Sequence, residues 1–199
     1  MSQRPALPKW HFLRGFLKHP RMVGSVIPSS DRLIARMLAP VDWANVRLFV
    51  EYGPGVGTFT RPILDRLGAD AALVAIDTNP DFVAFLSQTI DDPRFHAVHG
   101  SAADVSSIIA ERGFDAADYV VSGLPFSTLP DGVGAEIGAA TAGVIRDGGA
   151  FLVYQFSPKV LDYIAPHFER IERGFEWVNV PPATLFWAWR DRQGQVRAA

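Results

Sequence analysis

The feature that most restricts the fold is a break at residue 53. Residues 47–52 (RLFVEY) form a short apolar run that stops at Gly53-Pro54-Gly55-Val56-Gly57. A run this short, bounded by glycines, reads as a buried strand, and a helix is expected to follow through Leu67. The rhythm then repeats. Residues 73–77 (LVAID) read as a second strand, and Asp77-Thr78-Asn79-Pro80 opens a helix over 82–90 with Phe82, Phe85 and Leu86 as its apolar positions. A third strand is expected at 95–99, a short helix at 105–111, a fourth strand at 119–121 and an Ala/Gly-rich helix at 133–145. The fifth strand is expected at 150–156, after an Asp-Gly-Gly turn. Strands separated by helices require right-handed crossovers and a parallel sheet. Residues 168–178 and 184–190 break the pattern: only Asn179-Val180-Pro181-Pro182-Ala183 joins them, too little for a crossover helix. They are predicted to pair as an antiparallel hairpin at the sheet edge.

The glycine loop lies at the carboxyl end of the first strand, where open α/β sheets bind ligands. Glycines let the backbone approach a ligand closely, and the helix that follows offers free N–H groups. The spacing is GxGxG with Glu51 two residues ahead of it, not the GxGxxG of a dinucleotide pyrophosphate site. A carboxylate there repels a pyrophosphate and suits an ammonium group. This loop resembles the E/D-x-G-x-G-x-G signature of S-adenosylmethionine (SAM) enzymes, with Glu51, Gly53, Gly55 and Gly57 as cofactor-binding candidates. Asp77, 24 residues after Gly53, ends the second strand where an acid can accept bonds from both ribose hydroxyls, with Thr78 beside it. Its competing reading is a helix N-cap. Gly100-Ser101-Ala102 follows the third strand, where SAM enzymes commonly carry Gly-Asp-Ala against the adenine. Ser101 stands in place of that Asp, so its hydroxyl offers a weaker acceptor. The strand pattern and terminal hairpin likewise resemble class I methyltransferases, which implies a Rossmann-like seven-stranded sheet of order 3-2-1-4-5-7-6 with its last strand pair antiparallel.

Formal charge divides the chain. Over the 199 residues it is −2, but residues 1–36 hold seven basic side chains against Asp31 alone, a formal +6 that leaves −8 for the remainder. A basic arm on an acidic body points to an anionic surface, nucleic acid or membrane. Between Pro8 and Pro20, Trp10, Phe12, Leu13, Phe16 and Leu17 share one arc of a helical wheel, with Arg14 and Lys18 opposite. That is the pattern of a helix lying in a membrane interface, each basic residue adding about 1 kcal/mol at an anionic leaflet. The bland alternative is a helix covering an edge of its own sheet. No apolar run approaches the roughly 18 residues needed to span a bilayer, so a cytoplasmic protein held peripherally at the inner face of the membrane is expected. With no Cys, and with His96 and His99 on opposite faces of a strand, no metal site is expected. The organisation expected is an arm at 1–36, a catalytic domain at 37–191 and a tail at 192–199.

The fourth strand runs into Ser122-Gly123-Leu124-Pro125-Phe126-Ser127, where amino-methylating enzymes carry N/D-P-P-Y/F or N-L-P-Y/F. Methyl transfer is an in-line displacement at an already activated carbon, so positioning and water exclusion matter more than a strong acid or base. Backbone carbonyls at Ser122 and Gly123 can hold an amine, with Leu124 in the same loop and Phe126 packing on the amine. Tyr154 is the candidate to accept a hydrogen bond from it, and Tyr154, Phe126 and Phe156 can contact a methylated ammonium through cation–π interactions.

Residues 24–30 (GSVIPSS), the glycine loop, Ser-Gly-Leu-Pro-Phe-Ser, Tyr154-Gln155-Phe156-Ser157 and Asn179-Val180-Pro181-Pro182-Ala183 occur in the order seen in bacterial phospholipid N-methyltransferases, and the chain resembles that family along nearly its whole length. The resemblance implies stepwise SAM-dependent methylation of phosphatidylethanolamine toward phosphatidylcholine. It also implies that Pro28-Ser29-Ser30 closes over the methionine end of SAM, leaving S-adenosylhomocysteine as product. The chain departs from the family at Tyr52, usually aliphatic, and at Ser101. The rival reading is an rRNA adenine N6-dimethyltransferase, opposed by Ser122 where those enzymes have Asn, by the confinement of positive charge to the arm, and by the absence of a helical C-terminal domain. A noncatalytic SAM-binding membrane protein is the alternative from another class. A lipid partner, and no nucleic acid, is the expectation.

Overall fold

The computed structural model describes residues 30–179 and 182–191. The proposed interfacial helix, with Trp10, Phe12, Leu13, Arg14, Phe16, Leu17 and Lys18, lies outside the described residues, as do Ser29 and the tail. Helix α1 (Asp31–Leu38) leads through a 3-10 turn (Trp43–Asn45) into β1 (Leu48–Tyr52). There follow α2 (Thr60–Leu64), β2 (Ala72–Asp77), α3 (Pro80–Thr89), β3 (Phe95–His99), α4 (Val105–Ala110), β4 (Ala117–Ser122), α5 (Val133–Val144), β5 (Ile145–Gln155), α6 (Leu161–Ile164), β6 (Arg170–Glu176) and β7 (Ala183–Trp189). The seven strands form one sheet in the order β3-β2-β1-β4-β5-β7-β6. The first five are parallel and β7 runs antiparallel to both β5 and β6. The predicted order holds strand for strand.

Alternation along β1 divides the core. Leu48, Val50 and Tyr52 join the cluster under α4, α5 and α6, whereas Phe49 packs with Leu33, Met37 and Ile63 beneath α1 and α2. All five residues of β1 are buried, which suits a central parallel strand covered on both faces.

Several boundaries differ from the sequence expectation. Helix α2 ends at Leu64, not Leu67, because Arg66 and Leu67 both donate to the Ile63 carbonyl and close the helix in a tight turn. Helix α3 starts at Pro80, two residues early: the Asn79 side chain accepts from the Asp81 N–H at 2.9 Å, and proline needs no donor at a first helical position. Asn79 is thus the cap, not Asp77. The expected Asp-Gly-Gly turn is absorbed into β5, which spans eleven residues. Gly148 takes φ +79° and donates to Arg190, Gly149 accepts from it, and a Cβ on Gly149 would lie 2.3 Å from the Asp118 carbonyl. The two glycines make a register shift against β4 instead of a loop. At the amino edge beside it, the buried Asp118 carboxylate accepts from the Arg47 and Leu48 N–H groups at 2.7 and 2.8 Å and from the Arg146 guanidinium.

Candidate functional site

The carboxyl ends of β1, β2, β3, β4 and β5 bring Tyr52, Asp77, His99, Ser122 and Gln155 to one edge. The register places the β6–β7 turn there too, since Gln155 pairs with Thr184 and Glu176 with Ala183. In the loop after β1, Gly53 has φ +64°, and a Cβ there would meet the Leu124 side chain at 2.9 Å. Gly57 has φ +86° and would strike Leu86 at 2.8 Å. Both positions demand glycine twice over, for backbone conformation and for space. A Cβ on Gly55 would meet nothing within 4 Å, so there is room on that side of its backbone.

Two carboxylates flank this loop. Glu51 is 3% exposed, and its Oε2 accepts from the Thr60 hydroxyl at 2.7 Å. Burial raises its pKa to about 8, against the opposing pull of that hydroxyl, and the Asp77 charge adds to the rise. Asp77 Oδ2 accepts from the Gly55 N–H at 3.3 Å and Oδ1 from the Asn79 N–H at 2.8 Å. Burial pushes its carboxyl up while these two bonds hold it back. Asp77 therefore ties the glycine loop to the end of β2, the place a ribose would occupy, with Thr78 next to it. The Ser101 hydroxyl accepts from the Ala103 N–H at 3.2 Å and caps the turn that leads into α4, with Ala102 buried behind it. A fixed acid on each side of an open, glycine-lined backbone fits a cationic, ribose-bearing cofactor.

The loop after β4 is held from two directions. Ser122 Oγ accepts from the Leu124 N–H at 3.2 Å, and Gln155 Nε2 donates to the Leu124 carbonyl at 2.6 Å. A Cβ on Gly123 would sit 2.4 Å from the Tyr154 hydroxyl, so the phenol reaches directly over this glycine. The Tyr154 ring stacks on Phe59 with centroids 5.1 Å apart and planes 19° from parallel. Tyr154, Gly123, Leu124 and the glycine loop thus converge, and Phe156 stands 49% exposed one residue beyond Gln155.

One expectation needs correction. Phe126 does not face an amine: it is 1% exposed and packs against Tyr163 at 6.0 Å, because the Pro125 turn drives it down into the core under α5. Phe59 is the ring that accompanies Tyr154 instead. Tyr52, which stands where the family is usually aliphatic, is fully buried. It points to the opposite sheet face, where its hydroxyl meets Thr141 Oγ1 at 3.1 Å and burial pushes its pKa up. Sequence reasoning passed over Thr60, Gln155 and Phe59. A lone amide ending an otherwise apolar strand was the available signal for Gln155, as the Thr-Phe-Thr after the last loop glycine was for the other two.

Ser30, the first described residue, docks at the same edge. Its N–H donates to Asn179 Oδ1 at 3.0 Å, and its hydroxyl caps α1 by accepting from Leu33. Arg32 and Arg36 lie 3.4 and 3.6 Å from the buried Glu176 carboxylate, and Arg36 also donates to the Phe175 carbonyl.

The fold is that of class I SAM-dependent methyltransferases, and the cofactor is S-adenosylmethionine. Solved relatives include the N-methyltransferase NodS from Bradyrhizobium japonicum WM9 in complex with S-adenosyl-L-homocysteine (TM-score 0.66, 13% identity, 81% of this chain and 85% of that one). Another is precorrin-6y C5,15-methyltransferase from Geobacter metallireducens GS-15 (TM-score 0.65, 14% identity, 82% and 92%). No family model matches the sequence. Among characterised sequences, the ornithine lipid N-methyltransferase of Singulisphaera acidiphila is 31% identical over 177 residues, covering 88% of this chain and 92% of that protein. The chain belongs to that family of lipid N-methyltransferases.

Proposed function

We propose that the protein methylates the primary amine of a membrane lipid headgroup at the cytoplasmic membrane surface. The observation that carries this reading is the Tyr154 hydroxyl poised over Gly123, on the same edge as the Glu51 and Asp77 carboxylates. Bound SAM supplies an activated methyl group. Glu51 would hold its ammonium, Asp77 its ribose and Ser101 with Ala102 its adenine, and Ser30 stands on the same edge. A lipid ammonium has a pKa of about 10 and must lose its proton before attack. Tyr154 accepts a hydrogen bond from the amine, with the Ser122 and Gly123 backbone beside it. As methyl groups accumulate, the face of Tyr154 and the exposed Phe156 ring receive the cation.

Two headgroups compete. The motif order supports phosphatidylethanolamine and the path toward phosphatidylcholine; the Singulisphaera relative supports an ornithine lipid. Among the described residues no helix is long and apolar enough to cross a membrane, which is compatible with peripheral attachment through the N-terminal arm. The test is label transfer from radiolabelled SAM to mixed micelles holding one amine lipid at a time, with ribosomal particles in parallel. Label in an amine lipid is expected, and the lipid that takes it names the headgroup. Label in RNA alone, or in nothing, rejects the reading.

A further inference from the structure

The large exposed apolar side chains of the described structure are Val56 (44%), Phe156 (49%), Trp177 (75%) and Val178 (58%). They come from three separate loops, yet all stand on the carboxyl edge: Val56 after β1, Phe156 after β5, and Trp177 with Val178 in the β6–β7 turn. In the sheet these strands span β1-β4-β5-β7-β6, four strand spacings or roughly 19 Å. The Trp177 ring is not adrift, since it packs edge-on against Phe175 with centroids 4.2 Å apart. Scattered exposed apolar residues are ordinary, but a row of them along one rim marks an interaction surface.

Charge divides the same edge. In the three apolar tips, residues 54–59, 156–160 and 177–179, the sole charged side chain is Lys159, which pairs with Asp162 at 2.8 Å. Arg32 and Arg36 stand behind the third tip, against Glu176. The loops after β2 and β3 instead carry Asp77, Asp81 and Asp104, and none of the large exposed apolar residues. One half of the edge is apolar and near neutral, Lys159 being offset by Asp162 and by Asp131 of the β4 loop, and the other is acidic.

We infer that this apolar rim, with Trp177 and Val178 at its outer end, seats the catalytic edge directly on the lipid bilayer, the β1-to-β6 half against the lipid and the acidic β2–β3 half turned away. The inference rests on the lipid reading above. A two-chain lipid is held too firmly in its leaflet to leave it at every turnover, so the mouth of the site must come to the headgroup. The rim lies beside that mouth, and Trp is the side chain best suited to the headgroup level.

The test uses the full chain, so that any contribution of the arm is common to all variants. Wild type and Trp177→Glu/Val178→Glu are compared for co-sedimentation with vesicles of phosphatidylglycerol and phosphatidylcholine, which offer no primary amine. Partition should fall about tenfold or more in the double variant, with SAM affinity unchanged within about twofold. Brominated phosphatidylcholine should quench wild-type fluorescence more than that of Trp177→Phe, a comparison that survives if the double variant folds poorly. Equal partition and equal quenching overturn the inference, as does concentration-dependent dimerisation that buries Trp177 in solution without vesicles. The two readings separate cleanly. Lost partition without methylation of any amine lipid keeps the rim and rejects the substrate; micellar lipid methylation with unaltered partition does the reverse.

Discussion

Glu51→Gln is the sharpest perturbation of the site. In the folded protein burial raises the Glu51 carboxyl from its ordinary 4.5 to about 8, so between these values the native state keeps a proton that the unfolded chain has released. Stability from this residue is therefore undiminished below pH 4.5 and falls as pH climbs toward 8. The loss reaches about 3 kcal/mol at pH 7 and about 4 kcal/mol at pH 8. The amide introduced by the substitution can still accept from Thr60 and does not titrate, so the variant should lack this slope and gain on wild type as pH rises. Cofactor binding should show the converse. An ammonium beside Glu51 favours the carboxylate, so binding at pH 7 should expel close to one proton in wild type and none in the variant. The variant's affinity should drop by about 2 kcal/mol, some thirtyfold, for loss of the charge pair. Urea unfolding at pH 5, 6.5 and 8 measures the first effect. Titration calorimetry with SAM, in two buffers of different ionisation heat, measures the second. Parallel stability curves for the two proteins, or no proton release by wild type, would refute the reasoning.

Tyr154→Phe should slow the first methylation most, because the neutral amine of that step relies on the phenol oxygen whereas later steps draw more on the ring; product ratios by mass spectrometry decide it, and equal slowing of every step removes Tyr154 from the chemistry. Gly123→Ala puts a methyl where the Tyr154 hydroxyl lies 2.4 Å away, so kcat should fall about a hundredfold through displacement of the phenol while SAM affinity is kept; calorimetry beside single-turnover rates tests that split. Asp118→Ala leaves the buried Leu48 N–H, the part-buried Arg47 N–H and the Arg146 guanidinium without their shared acceptor and should cost about 3 kcal/mol in urea unfolding with little change in SAM affinity.

Much of this was legible in the residues because local signals and tertiary demands coincide. A short, mostly apolar run that stops at glycines 53, 55 and 57 reads as a buried strand and the turn that leaves it, and all five of its positions from Leu48 to Tyr52 are buried. The hairpin was readable from the absence of space for a crossover. What escaped depends on partners distant in sequence. Phe126 sits in a loop, where an aromatic reads as exposed, and only the position of Tyr163 makes it core. The Asp-Gly-Gly segment has every mark of a turn, and its conversion to a bulge follows from Arg190 and the Asp118 carbonyl lying alongside. Tyr52 belongs to the motif by position but to the opposite core by the alternation of its strand.

The bond from the Ser30 N–H to Asn179 spans 149 positions of sequence, and the Arg32 and Arg36 contacts with Glu176 are nearly as long-range. Such contacts form late, because the loop they close is the largest the domain offers. During synthesis Phe49 and Ile63, on which α1 packs, emerge early, whereas the partners of Ser30, Arg32 and Arg36 arrive only with the β6–β7 hairpin. The amino end of α1 is therefore fixed at the catalytic edge only once the β6–β7 hairpin has been made and folded, however early the glycine loop forms.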